Sequence, residues 1–173
     1  IEALKKWCDV LTSEKTDIIE ALSIDTGRHA LSRNEFDGVV HCINKWCDLA
    51  PSLMLENRLQ SNVMPDVEVL SDSKAYPVLA TISPWNFPLL LSFIDTVPAL
   101  LAGSAAFIKS SEVTPRFAVP VAKTIASVPE LSKVLSISPG DGKIGEELIR
   151  HVDIVAFTGS VSTGKKVVVA AAK

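Results

Sequence analysis

The segment Ser83-Pro-Trp-Asn-Phe-Pro88 sets an amide side chain between two aromatics and two prolines. An amide offers two N–H donors, and proline-fixed flanks restrict their direction. A fixed donor of this kind can stabilise an oxyanion that develops during a reaction. A buried amide that only ties down a turn is the plain alternative. A second group, Lys109-Ser-Ser-Glu112, puts a cation and a carboxylate just past an apolar run. A carboxylate there can accept hydrogen bonds from ribose hydroxyls, and a solvated local ion pair would need the same residues. Residues 140–145, Gly-Asp-Gly-Lys-Ile-Gly, satisfy the G-x-G-x-x-G pattern that lets a pyrophosphate approach the backbone. The acidic residue expected about 20 positions on is missing. Residues 159–165, Gly-Ser-Val-Ser-Thr-Gly-Lys, approach a phosphate-binding P-loop, but Lys166 stands where Ser or Thr should hold Mg²⁺. A glycine-rich helix cap without a ligand is the alternative for both turns.

Other reactive residue types lack a setting. His29, His41 and His151 have no partners at metal-ligand spacing, so no metal site is expected. Cys8, Cys42 and Cys47 are an odd number without metal-type spacing. They read as reduced packing thiols, away from any strand end or adjacent base.

The elements that must carry these residues follow from periodicity. Ser13 is placed to cap a helix with Ile18, Ile19 and Leu22, ending near Gly27. Ser32-Arg-Asn-Glu35 has the spacing of a capping box. It would open a long helix with Phe36, Val39, Val40, Ile43, Cys47 and Ala50 on one face. Residues 56–80 read as a β-hairpin appendage in which Val67 and Val69 alternate with polar neighbours. Short apolar strands are predicted at 78–82, 105–109, 133–138 and 153–157. Helices are predicted at 88–102, after Thr114-Pro115, at 143–150 and at 160–172. This β-α alternation argues for a parallel sheet with right-handed crossovers, whose ligands sit at the carboxyl ends of its strands. The singled-out residues all fall there.

Composition narrows the classes. The 173 residues carry a net charge of −3 and no basic block, so a nucleic-acid surface is not expected. Asp95 and Pro98 interrupt the longest apolar run before it reaches the ~20 residues of a membrane span. No signal peptide or initiator Met is visible, and an amphipathic pattern already runs through Ile1, Leu4, Trp7 and Leu11. A cytoplasmic chain that begins in mid-protein is expected.

Taken in order, four clusters resemble the aldehyde dehydrogenase superfamily, in its N-terminal, coenzyme-binding part. They are residues 83–88, residues 102–115, Pro139-Gly-Asp-Gly142, and residues 155–160 through Gly164-Lys165. Asp25-Thr-Gly27 and Pro65-Asp-Val-Glu-Val69 agree with the same family. The resemblance implies a Rossmann-type parallel sheet with N-terminal helices and a β-hairpin appendage. Residues 1–55 would be the helical part of the coenzyme-binding domain, 56–80 an oligomerisation hairpin, and 81–173 the incomplete βα units. It implies that Asn86 donates to the thiohemiacetal oxyanion. Ile82, Ser83 and Trp85 would line the cofactor channel, and Phe87 the substrate entrance. Lys109 and Glu112 would contact the adenosine ribose, Gly142 would lie by the adenine, and Gly159 and Ser160 would form the pyrophosphate turn. Glu112 would favour NAD over NADP by repelling a 2′-phosphate. The expected partners are an aldehyde substrate and further copies in a homodimer or tetramer, with no nucleic acid or membrane. Ser110 departs from the proline common after the ribose lysine. The family's nucleophilic cysteine and general-base glutamate have no counterpart here, so this chain alone is expected to be inactive. A non-catalytic nucleotide-binding module and a P-loop nucleotidase are the alternative readings.

Overall fold

The computed structural model describes residues 1–54 and 57–172. Three helices come first: α1 (Glu2–Ser13), α2 (Lys15–Thr26) and α3 (His29–Leu53). A hairpin follows, with β1 (Asn57–Gln60) antiparallel to β2 (Glu68–Ser71). The expected appendage is therefore present, although its boundary at 55–56 lies outside the described residues. Then come β3 (Val78–Ile82), α4 (Leu90–Phe93), α5 (Thr96–Ala102), β4 (Ala105–Ser111) and α6 (Ala118–Ala126). The chain continues with α7 (Pro129–Ser132), β5 (Leu135–Gly140), α8 (Gly142–Ile149), β6 (Ile154–Phe157) and α9 (Val161–Ala171).

Strands β3 to β6 form a parallel sheet in the order β5-β4-β3-β6. Leu79, Ala106, Ile108 and Leu135 face one way. They share a buried core with Trp7 and Leu11 of α1, Ile43 of α3, Phe93 of α4 and Val121 of α6. On the other face Ile82 and Lys109 lie beneath α8. A Cβ added at Gly145 would sit 3.7 Å from Lys109 Cδ and 3.8 Å from Ile82 Cδ1. Helices cover both faces, so the strands read as short apolar runs. Pro139 falls on the edge strand β5, where a missing N–H is tolerated.

Several local expectations are corrected. Ser13 ends α1 and donates to Val10 O, while Glu14 is the N-cap of α2 and makes no side-chain cap bond. Ser32 and Glu35 are not a capping box. Helix α3 already starts at His29, the Ser32 hydroxyl donates to Arg28 O, and Glu35 turns to a different part of the chain. Segment 88–102 is two helices. Pro98 has no N–H for the Ile94 carbonyl, and the Thr96 hydroxyl bonds back to Ser92 O at 2.7 Å. Thr114 does not cap α6, whose N-cap is Phe117. Strand β4 runs to Ser111, so Lys109 and Ser110 lie within it and not past it.

Candidate active site

The strands of the parallel sheet end together at Ile82, Ser111, Gly140 and Phe157. The turn after β3 carries Trp85, Asn86 and Phe87. Trp85 is 57% exposed and Asn86 is exposed. Asn86 Oδ1 accepts the Phe87 N–H at 3.1 Å. Since that partner is a donor, the amide oxygen must face it, and the two Nδ2 hydrogens point elsewhere. They meet no acceptor among the described residues. The amide oxygen is thus tied to the next backbone N–H, and its donors are left without partners among the described residues.

The turn itself is held by side chains from distant segments. Arg28 Nη2 donates to the Asn86 carbonyl, and its guanidinium stacks 4.8 Å from the centre of the Phe87 ring. Thr114 Oγ1 donates to the Trp85 carbonyl at 3.2 Å. Glu35 Oε1 accepts the N–H groups of Leu89 and Leu90 at 2.6 and 3.0 Å. Sequence reasoning missed Arg28 and Glu35 as neighbours of this turn. One signal was available: Glu35 is a charge on the apolar stripe of α3, which calls for a buried partner.

At the end of β4, Lys109 is buried and donates through Nζ to Gly140 O at 2.6 Å. Burial pushes its pKa down, opposed by the negative charges of Glu112 and Asp141. Glu112 is exposed, and its nearest hydrogen-bond donor is the Ser111 hydroxyl at 3.5 Å. Lys109 and Glu112 share a strand end but no direct bond among the described residues. Ser83 points the other way. Its hydroxyl bonds Ser92 Oγ at 2.8 Å in the buried helical layer, so only its backbone faces the strand ends. Ser110 is fully buried within β4, its hydroxyl unpartnered among the described residues.

The two glycine-rich turns differ in electrostatics. At α8 the Asp141 carboxylate accepts the N–H groups of Lys143 and Ile144, so the helix N-terminus is already filled by an anion. Gly142 has open space around it. At α9 the cap is the neutral Ser160 hydroxyl, which accepts from Thr163 N at 3.2 Å. The N–H groups of Val161 and Ser162 have no partner among the described residues. A helix start of this kind can take an anion. The glycines also have a packing reason. A Cβ at Gly159 would stand 2.6 Å from the Phe157 ring, and one at Gly164 3.3 Å from it. The G-x-x-x-x-G spacing therefore makes room for Phe157, which weakens the P-loop alternative.

Cys8, Cys42 and Cys47 are all buried, and burial raises each thiol pKa. An activated nucleophile has the reverse character.

The family model described as the aldehyde dehydrogenase family matches residues 1–173. The chain belongs to the aldehyde dehydrogenase family. It is 32% identical over 171 residues to a betaine aldehyde dehydrogenase of Bacillus subtilis, covering 96% of this chain and 34% of that protein. Among solved structures, a putative aldehyde dehydrogenase PutA from Anabaena variabilis superposes with a TM-score of 0.95 at 43% identity. That match covers 99% of this chain and 36% of the other. A betaine aldehyde dehydrogenase from Staphylococcus aureus, solved with NAD⁺, matches with a TM-score of 0.89 at 26% identity, covering 99% and 35%. The chain spans about a third of the length of these aldehyde dehydrogenases.

Proposed function

We propose that this chain is the cofactor-binding portion of an NAD-dependent aldehyde dehydrogenase that oxidises an aldehyde to a carboxylic acid. The observation that carries the reading is the Asn86 amide on an exposed turn, its oxygen tied to Phe87 N and its two donors without an acceptor among the described residues. A thiolate attacking an aldehyde creates a tetrahedral oxyanion, and an oriented N–H donor lowers the cost of that charge. Loss of hydride leaves a thioester, which water cleaves to the acid and the free thiol. When bound, the nicotinamide supplies the hydride acceptor. The buried, raised thiols of Cys8, Cys42 and Cys47 do not suit the nucleophile's part, which other residues of the whole protein would supply, together with the base.

The donor set suits a dinucleotide. The α9 start, with Ser160 and the N–H groups of Val161 and Ser162, which have no partner among the described residues, would hold the pyrophosphate. Lys109 and Glu112 would hold the adenosine ribose. The Glu112 carboxylate favours NAD, with NADP the alternative. Gly142 leaves room beside the adenine. Ile82 lies on the α8 side of the sheet and, with Trp85, would line the channel; Phe87 would stand at the aldehyde entrance. The hairpin exposes Leu59, Val69 and Leu70, which would meet a second copy in a homodimer or tetramer. A cytoplasmic setting agrees with the free thiols. No helix among the described residues is long and apolar enough to cross a membrane.

The test is aldehyde-dependent NADH formation by the whole protein and its Asn86→Ala variant. Loss of one oxyanion donor should lower kcat by about 10²–10³; an unchanged kcat removes Asn86 from the mechanism. The 173-residue chain alone should give no turnover, and sustained NADH formation by it would refute the placement of the nucleophile elsewhere.

A further inference from the structure

We propose that Arg28 is a positioning residue for Asn86, with Glu35 anchoring the far side of the same turn. Pro84 and Pro88 have no N–H, so the turn has few backbone donors of its own. Among the described residues, the carbonyls of Trp85 and Asn86 accept from side chains only. The peptide plane that carries the Asn86 side chain is therefore set from outside the turn.

The outside partner is α3. Gly27 ends α2 in the left-handed region at φ 68°, and this sharp elbow makes Arg28 the N-cap of α3. Arg28 and Glu35 are seven residues apart, two helical turns, and so share one face. From that face the helix grips the turn with opposite charges. The Arg28 cation meets the Asn86 carbonyl and the face of Phe87. The Glu35 carboxylate, 2% exposed, meets the N–H groups of Leu89 and Leu90. Each charge bonds the backbone group of opposite polarity, and the two ends of the turn cannot rotate independently. Guanidinium stacking on Phe87 also fixes the aromatic next to the amide. Neither side chain needs to touch substrate. Their catalytic consequence rests on the reading of Asn86 as the oxyanion donor.

The experiment uses the whole protein with Arg28→Ala, Arg28→Lys, Asn86→Ala and the Arg28→Ala/Asn86→Ala double variant. Steady-state kinetics, NAD affinity and amide hydrogen exchange over 84–91 are measured on each. Arg28→Ala should speed exchange over 84–91. It should lower kcat on the order of tenfold to a hundredfold, as small misplacements of catalytic groups do, with NAD affinity unchanged. Arg28→Lys keeps a cation and a donor and should restore most of kcat. The double variant should lose no more than Asn86→Ala alone, because Arg28 acts through that residue. Multiplying losses would show that Arg28 acts elsewhere and would overturn the proposal. Unchanged exchange over 84–91 overturns it whatever the kinetics. If Asn86→Ala leaves kcat intact, the oxyanion reading fails, and exchange alone then decides whether Arg28 positions the turn. Should Arg28→Ala not fold, Arg28→Gln, which keeps a donor without the charge, serves in the same comparisons.

Discussion

Glu35 is a carboxylate held where water cannot reach it, and two N–H donors do not fully offset the loss. Burial pushes its pKa above the usual glutamate value, against the pull of Leu89 N–H, Leu90 N–H and Arg28. The folded protein then keeps a proton that the unfolded chain has already lost. Over that window stability falls as pH rises. Glu35→Gln keeps an acceptor for both N–H groups and has no proton to lose. Its stability relative to the parent should therefore improve as pH is raised from about 4.5 to about 7.5. Denaturant unfolding of both proteins across that range checks this; a difference that does not vary with pH contradicts it. Glu35→Ala leaves two donors unmet and should cost about 1–3 kcal/mol for each. Ser32-x-x-Glu35 was legible as a pattern but not as a partner. A capping box is a local rule, and the acceptor's real donors lie 54 and 55 residues away. Gly159 shows the complementary lesson. The sequence suggested an anion site at its turn but carried no sign of its contact with Phe157, because only the fold lays the ring across the glycine. Gly159→Ala should destabilise the protein by about 1–3 kcal/mol as the ring is forced aside. A thermal melt of Gly159→Ala against Gly159→Ala/Phe157→Leu, the second expected to recover part of the loss, reads this directly.

At the scale of elements, apolar period and turn chemistry located the four parallel strands and the helices between them. Most errors fall at ends and breaks: the strand expected at 133–138 lies at Leu135–Gly140, and the short helix α7 at Pro129–Ser132 was missed altogether. The strand at 105–109 runs on to Ser111, because pairing with Pro139 and Gly140 of β5 continues the ladder past the apolar residues. Thr114-Pro115 has the look of a helix start, yet the threonine hydroxyl is drawn to Trp85 O and the Arg116 N–H is taken by Asp25. Here tertiary partners win over the local cap. The two helix N-termini at the strand ends make a sharper prediction. Helix α8 carries its own anion in Asp141, whereas α9 presents N–H groups that have no partner among the described residues, behind a neutral Ser160. A carboxylate at residue 160 would cap α9 well but repel a pyrophosphate. Ser160→Asp should lower NAD affinity roughly tenfold or more, with no loss of melting temperature. Asp141→Ala should cost about 0.5–2 kcal/mol of stability and leave NAD affinity close to its parent value. Titration of the whole protein with NAD separates these outcomes. The reverse ranking would move the pyrophosphate to the G-x-G-x-x-G turn.

Across the whole molecule, the N-terminal helices and the sheet do not have separate cores. One buried cluster runs from Leu4, Trp7 and Leu11 through Phe36 and Ile43 to Phe93, Ile108, Val121 and Leu135. Trp7 joins its parts. It is fully buried, its ring centre is 5.0 Å from that of Phe93 in α4, and its Nε1–H donates to Thr124 Oγ1 of α6 at 2.9 Å, 117 residues away. Trp7 thus ties α1 to both α4 and α6, and α1 cannot leave without exposing the α6 face. Removing the indole should be felt by the entire fold. Trp7→Ala should cost about 3–5 kcal/mol, a large share of the ~5–15 kcal/mol that holds a typical domain together. Trp7→Phe keeps most of the apolar contact and loses the bond to Thr124, so a smaller loss of about 1–2 kcal/mol is expected. Because the core is continuous, Trp7→Phe should shift the unfolding of the helices and of β4 by the same amount. Far-UV circular dichroism and amide exchange of Ala106–Ser110 would follow the two together. If the helical signal moved and β4 exchange did not, the helices would form an independent unit. The orientation of the Asn86 turn by Arg28 and Glu35 would then depend on a docking equilibrium instead of on the cooperative fold.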